Sequence, residues 1–160
     1  MFNVGEYVVY GATGVCLIKE MQERRIGNES VMYYVLVPYF KDNTTIFVPQ
    51  NNEALLCKMH KVMQRQEIEA LIADSHSIPA IWEENDIERR KIHREILSSC
   101  DRTKVAGVIK ALIDESASRK QNGKKLQMPD EQILKQAQDL LYGEIAYVLN
   151  MPIGEVSIFK

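Results

Sequence analysis

The feature that most constrains what this chain can fold into is a change of period near Met63. Before it, short runs rich in β-branched and aromatic residues alternate with turn formers: residues 4–10 (VGEYVVY), 15–21 (VCLIKEM), 31–37 (VMYYVLV) and 44–48 (TTIFV). Gly11 and Gly14 mark one turn, Gly27-Asn28 a second and Lys41-Asp42-Asn43 a third. Connections this short join antiparallel neighbours. A fifth strand around residues 55–59 completes a small twisted barrel of the SH3 or Tudor type, which closes most of its edges within about 60 residues.

From Met63 the apolar residues recur at helical spacing. Ile68, Leu71 and Ile72 make one short stripe, and Ile87, Ile92, Ile96 and Leu97 a looser second one. A third helix starts at the N-cap Asp101, carries Val105, Val108, Ile109, Leu112 and Ile113 on one face, and stops at Gln121-Asn122-Gly123. Pro129 fits the first turn of a fourth helix bearing Ile133, Leu134, Ala137, Leu140, Leu141 and Ile145, and Pro152 opens a last short turn. Residues 74–81 (DSHSIPAI) lack periodicity and read as a connector. The expected fold is α+β in two domains: a small antiparallel SH3/Tudor-like β-barrel over residues 1–62 and a compact all-α domain over residues 63–160.

Catalysis has no visible foothold. His60, His76 and His93 are isolated, with no HExxH and no ligand pair at i, i+4, and there is no GxSxG, P-loop or GxGxxG after a strand. Glu83-Glu84 falls at a predicted helix start, where the dipole alone favours carboxylates. Cys16, Cys57 and Cys100 are odd in number and far apart, which points to free thiols. Neither metal nor cofactor is expected, and the chain is not expected to be an enzyme. No apolar run approaches the roughly 20 residues needed to span a bilayer, and MFNVGEYVVY lacks the sections of a signal peptide, so a cytoplasmic protein is expected.

The net charge of −2 conceals a polarised chain. Residues 1–57 carry four basic and six acidic side chains, whereas residues 89–125 carry eleven basic and four acidic ones. The stretch 67–86, with six acids and no base, offsets much of that surplus.

The order of segments VGEYVVYGATGV (4–15), YYVLV (33–37) and TTIFVP (44–49) resembles the CarD family and the related polymerase-interacting domain of the transcription-repair coupling factor. LLYGEIAYVL (140–149) and the helix beginning at Asp101 resemble the helical domain of CarD/CdnL-type regulators, which the coupling factor lacks. The resemblance implies a bacterial transcription regulator. Its barrel docks on the RNA polymerase β subunit. Its helical domain contacts promoter DNA at the upstream edge of the bubble, supporting the open complex, without sequence-specific base readout. A monomer, associated with the nucleoid through polymerase, fits that picture.

Carried over residue by residue, the resemblance makes Arg24 a basic polymerase contact at the end of the second strand, with Arg25 able to substitute, and adds Phe47 and Pro49. Phe47 stands where some members have a basic residue; if Ile46 and Val48 face the core, Phe47 faces outward, either as an apolar anchor or packed against the helical domain. Gly11, where a proline is usual, and Thr13, where a histidine is common, also depart from the family. The lone Trp82 is either the wedge that such proteins insert into the minor groove or a packing residue, since counting back from Asp101 puts the family's wedge nearer Asp86. Arg89, Arg90, Lys91 and Arg94 either hold phosphates or form a solvated helix face. Lys135 adjoins Gln136, which occupies the place of a DNA-contacting lysine in some members, and Lys124 and Lys125 are further phosphate candidates. Two other readings remain: a polymerase-binding adaptor without DNA contact, suggested by the acidic stretch, and an SH3-like RNA-binding module.

Overall fold

A computed structural model describes residues 2–40 and 43–159. Two compact units divide the chain, Met1–Val62 and Met63–Lys160. The first holds β1 (Tyr7–Tyr10), β2 (Gly14–Ile26), β3 (Glu29–Pro38), β4 (Ile46–Pro49), the single turn α1 (Glu53–Leu56) and β5 (Met59–Lys61). All pairings are antiparallel, in the order β4-β3-β2-β1-β5. Gly27 takes φ +65° in the two-residue turn that joins β2 to β3, a conformation open to glycine at little cost. Of the turn expected at residues 41–43, Lys41 and Asp42 lie outside the described residues.

Pleat alternation places Val8, Cys16, Ile18, Tyr34, Leu36, Val48 and Met59 on one face, where they form the core of this unit. The register of β2 against β3 slips between Ile18 and Glu20; beyond this bulge β2 leaves the core and is mostly exposed to its end at Ile26.

The sheet does not close into the expected barrel. Its edges, β4 and β5, are unpaired with one another among the described residues, and the fifth strand lies later than expected, at Met59–Lys61. The physical reason lies in the segment between them. Asn52 Oδ1 accepts from the Leu55 amide at 3.2 Å and caps a helical turn, with Glu53 at its positive end. Leu55 and Leu56, read from sequence as strand, instead pack beside Phe2 against the open side of the core.

The second unit contains α2 (Arg65–Ala73), α3 (Asp86–Ser99), α4 (Arg102–Gln121) and α5 (Met128–Leu149), with 3-10 turns at Ser75–Ser77 and Ile153–Glu155. Asp101 caps α4, its Oδ1 accepting from the Lys104 amide at 3.1 Å. The first half of α4 is buried on nearly every side, from Val105 to Ile109, as is the second half of α5 from Leu140 to Ala146. Glu144 of α5, 2% exposed, accepts from Arg102 Nη2 at 2.7 Å, Arg102 Nε at 3.0 Å and the Met63 amide at 2.7 Å. That carboxylate ties the start of α4 and the entry of the chain to α5.

The stripe assigned to α3 requires correction. Its buried residues are Arg89, His93 and Leu97, at i, i+4 and i+8, while Ile87 is 81% exposed and Ile92 and Ile96 are half-buried. Polar side chains occupy the inward face because each finds a partner there.

Candidate functional site

In the first unit a surface is built by strand register. Gln22 stands opposite Tyr33, Tyr33 opposite Pro49, and Val35 opposite Phe47. Alternation therefore carries Arg24, Tyr33, Phe47 and Pro49 to one face, opposite the core face of Tyr34 and Val48. The Arg24 guanidinium lies 4.2 Å from the Phe47 ring centre and 5.8 Å from that of Tyr33, and Nε donates to Gln22 Oε1 at 3.2 Å. Phe47 is 39% exposed and Arg24 is exposed. A cation over an aromatic ring, open to solvent, can offer a partner both apolar area and hydrogen-bond donors. Arg25 is exposed but follows Arg24 on a pleated strand, so it points to the opposite face and cannot replace Arg24 within this cluster.

In the second unit the sequence candidates separate into buried and exposed sets. Asn85 caps α3, its Oδ1 accepting from the Glu88 amide at 3.0 Å. Arg89, one turn in, is 2% exposed. Its Nη1 donates to Asp86 Oδ1 at 2.9 Å and to the Glu83 carbonyl at 3.2 Å, and its Nη2 to Asp130 Oδ2 at 2.9 Å. Its guanidinium also lies 4.2 Å from the Trp82 ring centre. Arg90 donates to both Asp130 oxygens, at 3.1 and 3.3 Å, and to Gln127. Burial alone raises the pKa of Asp130 and lowers that of Arg89, but the hydrogen bonds between these side chains outweigh it: Asp130 lies below its ordinary value and Arg89 above. Arg89, read from the sequence either as a phosphate contact or as part of a solvated helix face, is a buried member of an ion-pair network that also engages Arg90. Trp82 is half-buried, with one face of its ring against that network.

Trp82 ends a strap that runs from Ile78 over α4. Lys110 Nζ donates to the Ile78 carbonyl at 2.8 Å, the Ile81 amide donates to the Gly107 carbonyl at 3.2 Å, and His93 Nε2 is 2.8 Å from the Ile81 carbonyl, which requires a proton on that nitrogen. A Cβ on Gly107 would stand 2.7 Å from the Pro79 carbonyl oxygen and 3.0 Å from Ile81. His93 is fully buried and its Nδ1 has no partner; burial foremost, with the nearby Arg89 cation, holds its pKa below 6.5.

The remaining cations face outward. Lys91, Arg94, Lys124 and Lys125 are exposed, and Lys135, 76% exposed, pairs with Asp139 at 2.9 Å one turn along α5. Asp130, Gly107 and Tyr33 were not singled out from the sequence, and His93 was read there only as an isolated histidine. Only Gly107 carried a local signal, a lone glycine inside a helical pattern, which usually marks close packing. Among the described residues no cluster of three or more His, Cys, Asp or Glu could hold a metal, and no helix is long and apolar enough to cross a membrane.

Family models, one for each unit, mark the chain as an RNA polymerase-interacting transcription regulator. Residues 2–63 match the CarD-like/TRCF RID domain and residues 68–158 match the CarD C-terminal domain. The chain belongs to the CarD family.

Proposed function

We propose that the first unit docks on the polymerase β subunit through the face of Arg24, Tyr33, Phe47 and Pro49. The helical unit then meets promoter DNA at the upstream edge of the bubble and lengthens the life of the open complex. The observation that carries the docking reading is the solvent-open stack of Arg24 on Phe47, because the sheet's own core does not need either side chain. For the DNA contact the candidates are Arg94 and Lys135, with Lys91, Lys124 and Lys125, all outward-facing, and Arg90 contributes through its remaining exposure. With few phosphate contacts and no base readout, affinity for free duplex is weak and salt-sensitive, and tethering to polymerase supplies the local concentration.

Binding of the chain to polymerase core, or to its isolated β lobe, tests this directly. Arg24→Ala with Phe47→Ala is expected to weaken a micromolar or tighter interaction by at least tenfold. Absence of binding by the parent chain would sink the reading. A second reading, an adaptor whose helical unit touches no DNA, is favoured by the commitment of Arg89 and Arg90 to Asp130. Open-complex lifetime distinguishes the two: Arg94→Ala with Lys135→Ala shortens it if these side chains hold phosphates and leaves it unchanged in an adaptor.

A further inference from the structure

The helical unit holds a cavity of about 650 Å³, lined by α2, by the start of the strap and by the junction of α3 with α4. On the α2 side the lining residues Met63, Glu67, Ala70, Leu71 and Asp74 recur three or four positions apart. One helix face therefore turns to the cavity, with Ala70 and Leu71 between two carboxylates. Ile78 and Pro79 continue the apolar lining from the strap. The fold does not cover this surface fully: Ile68 is the only buried residue of α2, and Leu71 is half-buried. A cleft within the roughly 300–1,000 Å³ of small-molecule sites, lined by apolar side chains and a few polar ones, is suited to a ligand.

The charges of the lining decide the sign of that ligand. Glu67, Asp74 and Asp101 are exposed carboxylates. Arg102 is the only basic side chain among the described lining residues, and Glu144 neutralises it, accepting from Nη2 at 2.7 Å and from Nε at 3.0 Å. Other cations of these segments are engaged or stand outside the lining. Arg65 pairs with Glu69, Lys110 Nζ donates to the Ile78 carbonyl, and Lys104 does not line the cavity. Negative charge is thus in excess, which attracts a cation and repels an anion.

We propose that this cavity binds a small amphipathic organic cation, with Glu67 and Asp74 beside its ammonium group and Leu71, Ile78 and Pro79 against its apolar body. The site lies wholly within the helical unit and does not depend on the polymerase or DNA contacts. A ligand seated there bridges α2 to the start of α4, where Met63 and Arg102 already meet on Glu144, and so stabilises the unit.

The test titrates the full chain, isotope-labelled at Ile, Leu and Met methyl groups, with phenethylamine and, in parallel, with phenethyl alcohol and phenylacetate, which keep the aromatic body and change the charge. With the amine, the Met63, Leu71 and Ile78 methyl resonances should shift saturably, with a Kd of about 1 mM or tighter. The alcohol should bind more weakly and the carboxylate not at all, and only the amine should raise the thermal midpoint. Glu67→Gln with Asp74→Asn should weaken the amine about fivefold, the scale of two exposed ion pairs. Asp101 is left in place because it caps α4. Ala70→Trp fills the cavity from an exposed position; it should abolish the shifts and leave the midpoint of the unliganded chain where it was. Equal shifts with all three probes, shifts that survive Ala70→Trp, or no shift at about 10 mM amine would each overturn the proposal.

Discussion

Each unit contains an arginine stacked on an aromatic ring at 4.2 Å, and the two pairs sit in opposite surroundings. Arg24 on Phe47 lies open to solvent, beside Tyr33 and hydrogen-bonded to Gln22, whereas Arg89 on Trp82 is buried and its charge is matched by Asp130 and Asp86. The same contact therefore does different work. In the sheet, loss of the stack removes exposed surface and little stability, since an exposed cation–π pair is worth about 0.5–1 kcal/mol. In the helical unit, the stack is one side of a desolvated charge that the fold depends on.

The largest effect should come from breaking the inner pair. Asp130→Ala leaves Arg89 buried with Asp86 alone as its carboxylate partner and removes both bonds of Arg90 to that carboxylate, leaving it only Gln127 among the described partners. Removing one member of a buried pair typically costs about 3–5 kcal/mol. The thermal midpoint of the helical unit, followed by circular dichroism at 222 nm, should fall by about 10 °C or more. A drop of only a degree or two would mean that Arg89 finds water and that the two stacks are equivalent after all.

Next in size is Gly107→Ala. The added methyl meets the Pro79 carbonyl oxygen at 2.7 Å, which is backbone and must shift, and overpacking of this kind costs about 1–3 kcal/mol. Because the displaced strap leads directly to Trp82, the single tryptophan reports it: the emission maximum should move to longer wavelength as the ring separates from Arg89. Unchanged emission would show that the strap does not position the ring.

A smaller effect is expected from pH. The unfolded chain takes up a proton at His93 near pH 6.5, and the folded unit resists this because the ring is buried with Arg89 close by. The Ile81 carbonyl and Asp130 pull the other way and are outweighed. Stability is therefore full above 6.5 and declines as the pH falls through that value, levelling off once the folded pKa is passed. Asp130 contributes separately: its lowered pKa gives stability that persists above the unfolded value of 3.8 and is lost below it. Urea midpoints between pH 8 and pH 3 should show the two losses in that order, and His93→Gln should remove the first.

What could be read from the sequence follows from how far each determinant reaches. The outward position of Phe47 was legible because strand alternation is a two-residue rule, and the Asp101 cap because it acts on the amide three residues on. The open sheet was misread because Leu55 and Leu56 are apolar in either a strand or a helical turn; the overlooked sign was Asn52 with Glu53, a capping pair. The inward face of α3 was hidden for a different reason. Apolar periodicity does not register a buried arginine and histidine, and the partner that makes Arg89 tolerable, Asp130, is 41 residues away on another helix.

The smallest effect, and the sharpest check on the outer stack, concerns Arg25. By composition Arg24 and Arg25 are interchangeable, and charge steering alone would make loss of either equally harmful to polymerase binding. The pleat makes them unequal: Arg24 shares a face with Tyr33 and Phe47, and Arg25 shares the opposite one with Glu23. Arg25→Ala should accordingly change affinity for the β lobe less than about twofold, the scale of a rim charge, where Arg24→Ala removes the donor seated on the ring. Measuring both at two salt concentrations separates the cases. A shared long-range effect disappears in high salt for both variants, whereas a contact made by the Arg24–Phe47 surface keeps Arg24→Ala defective after screening has erased whatever Arg25 contributes.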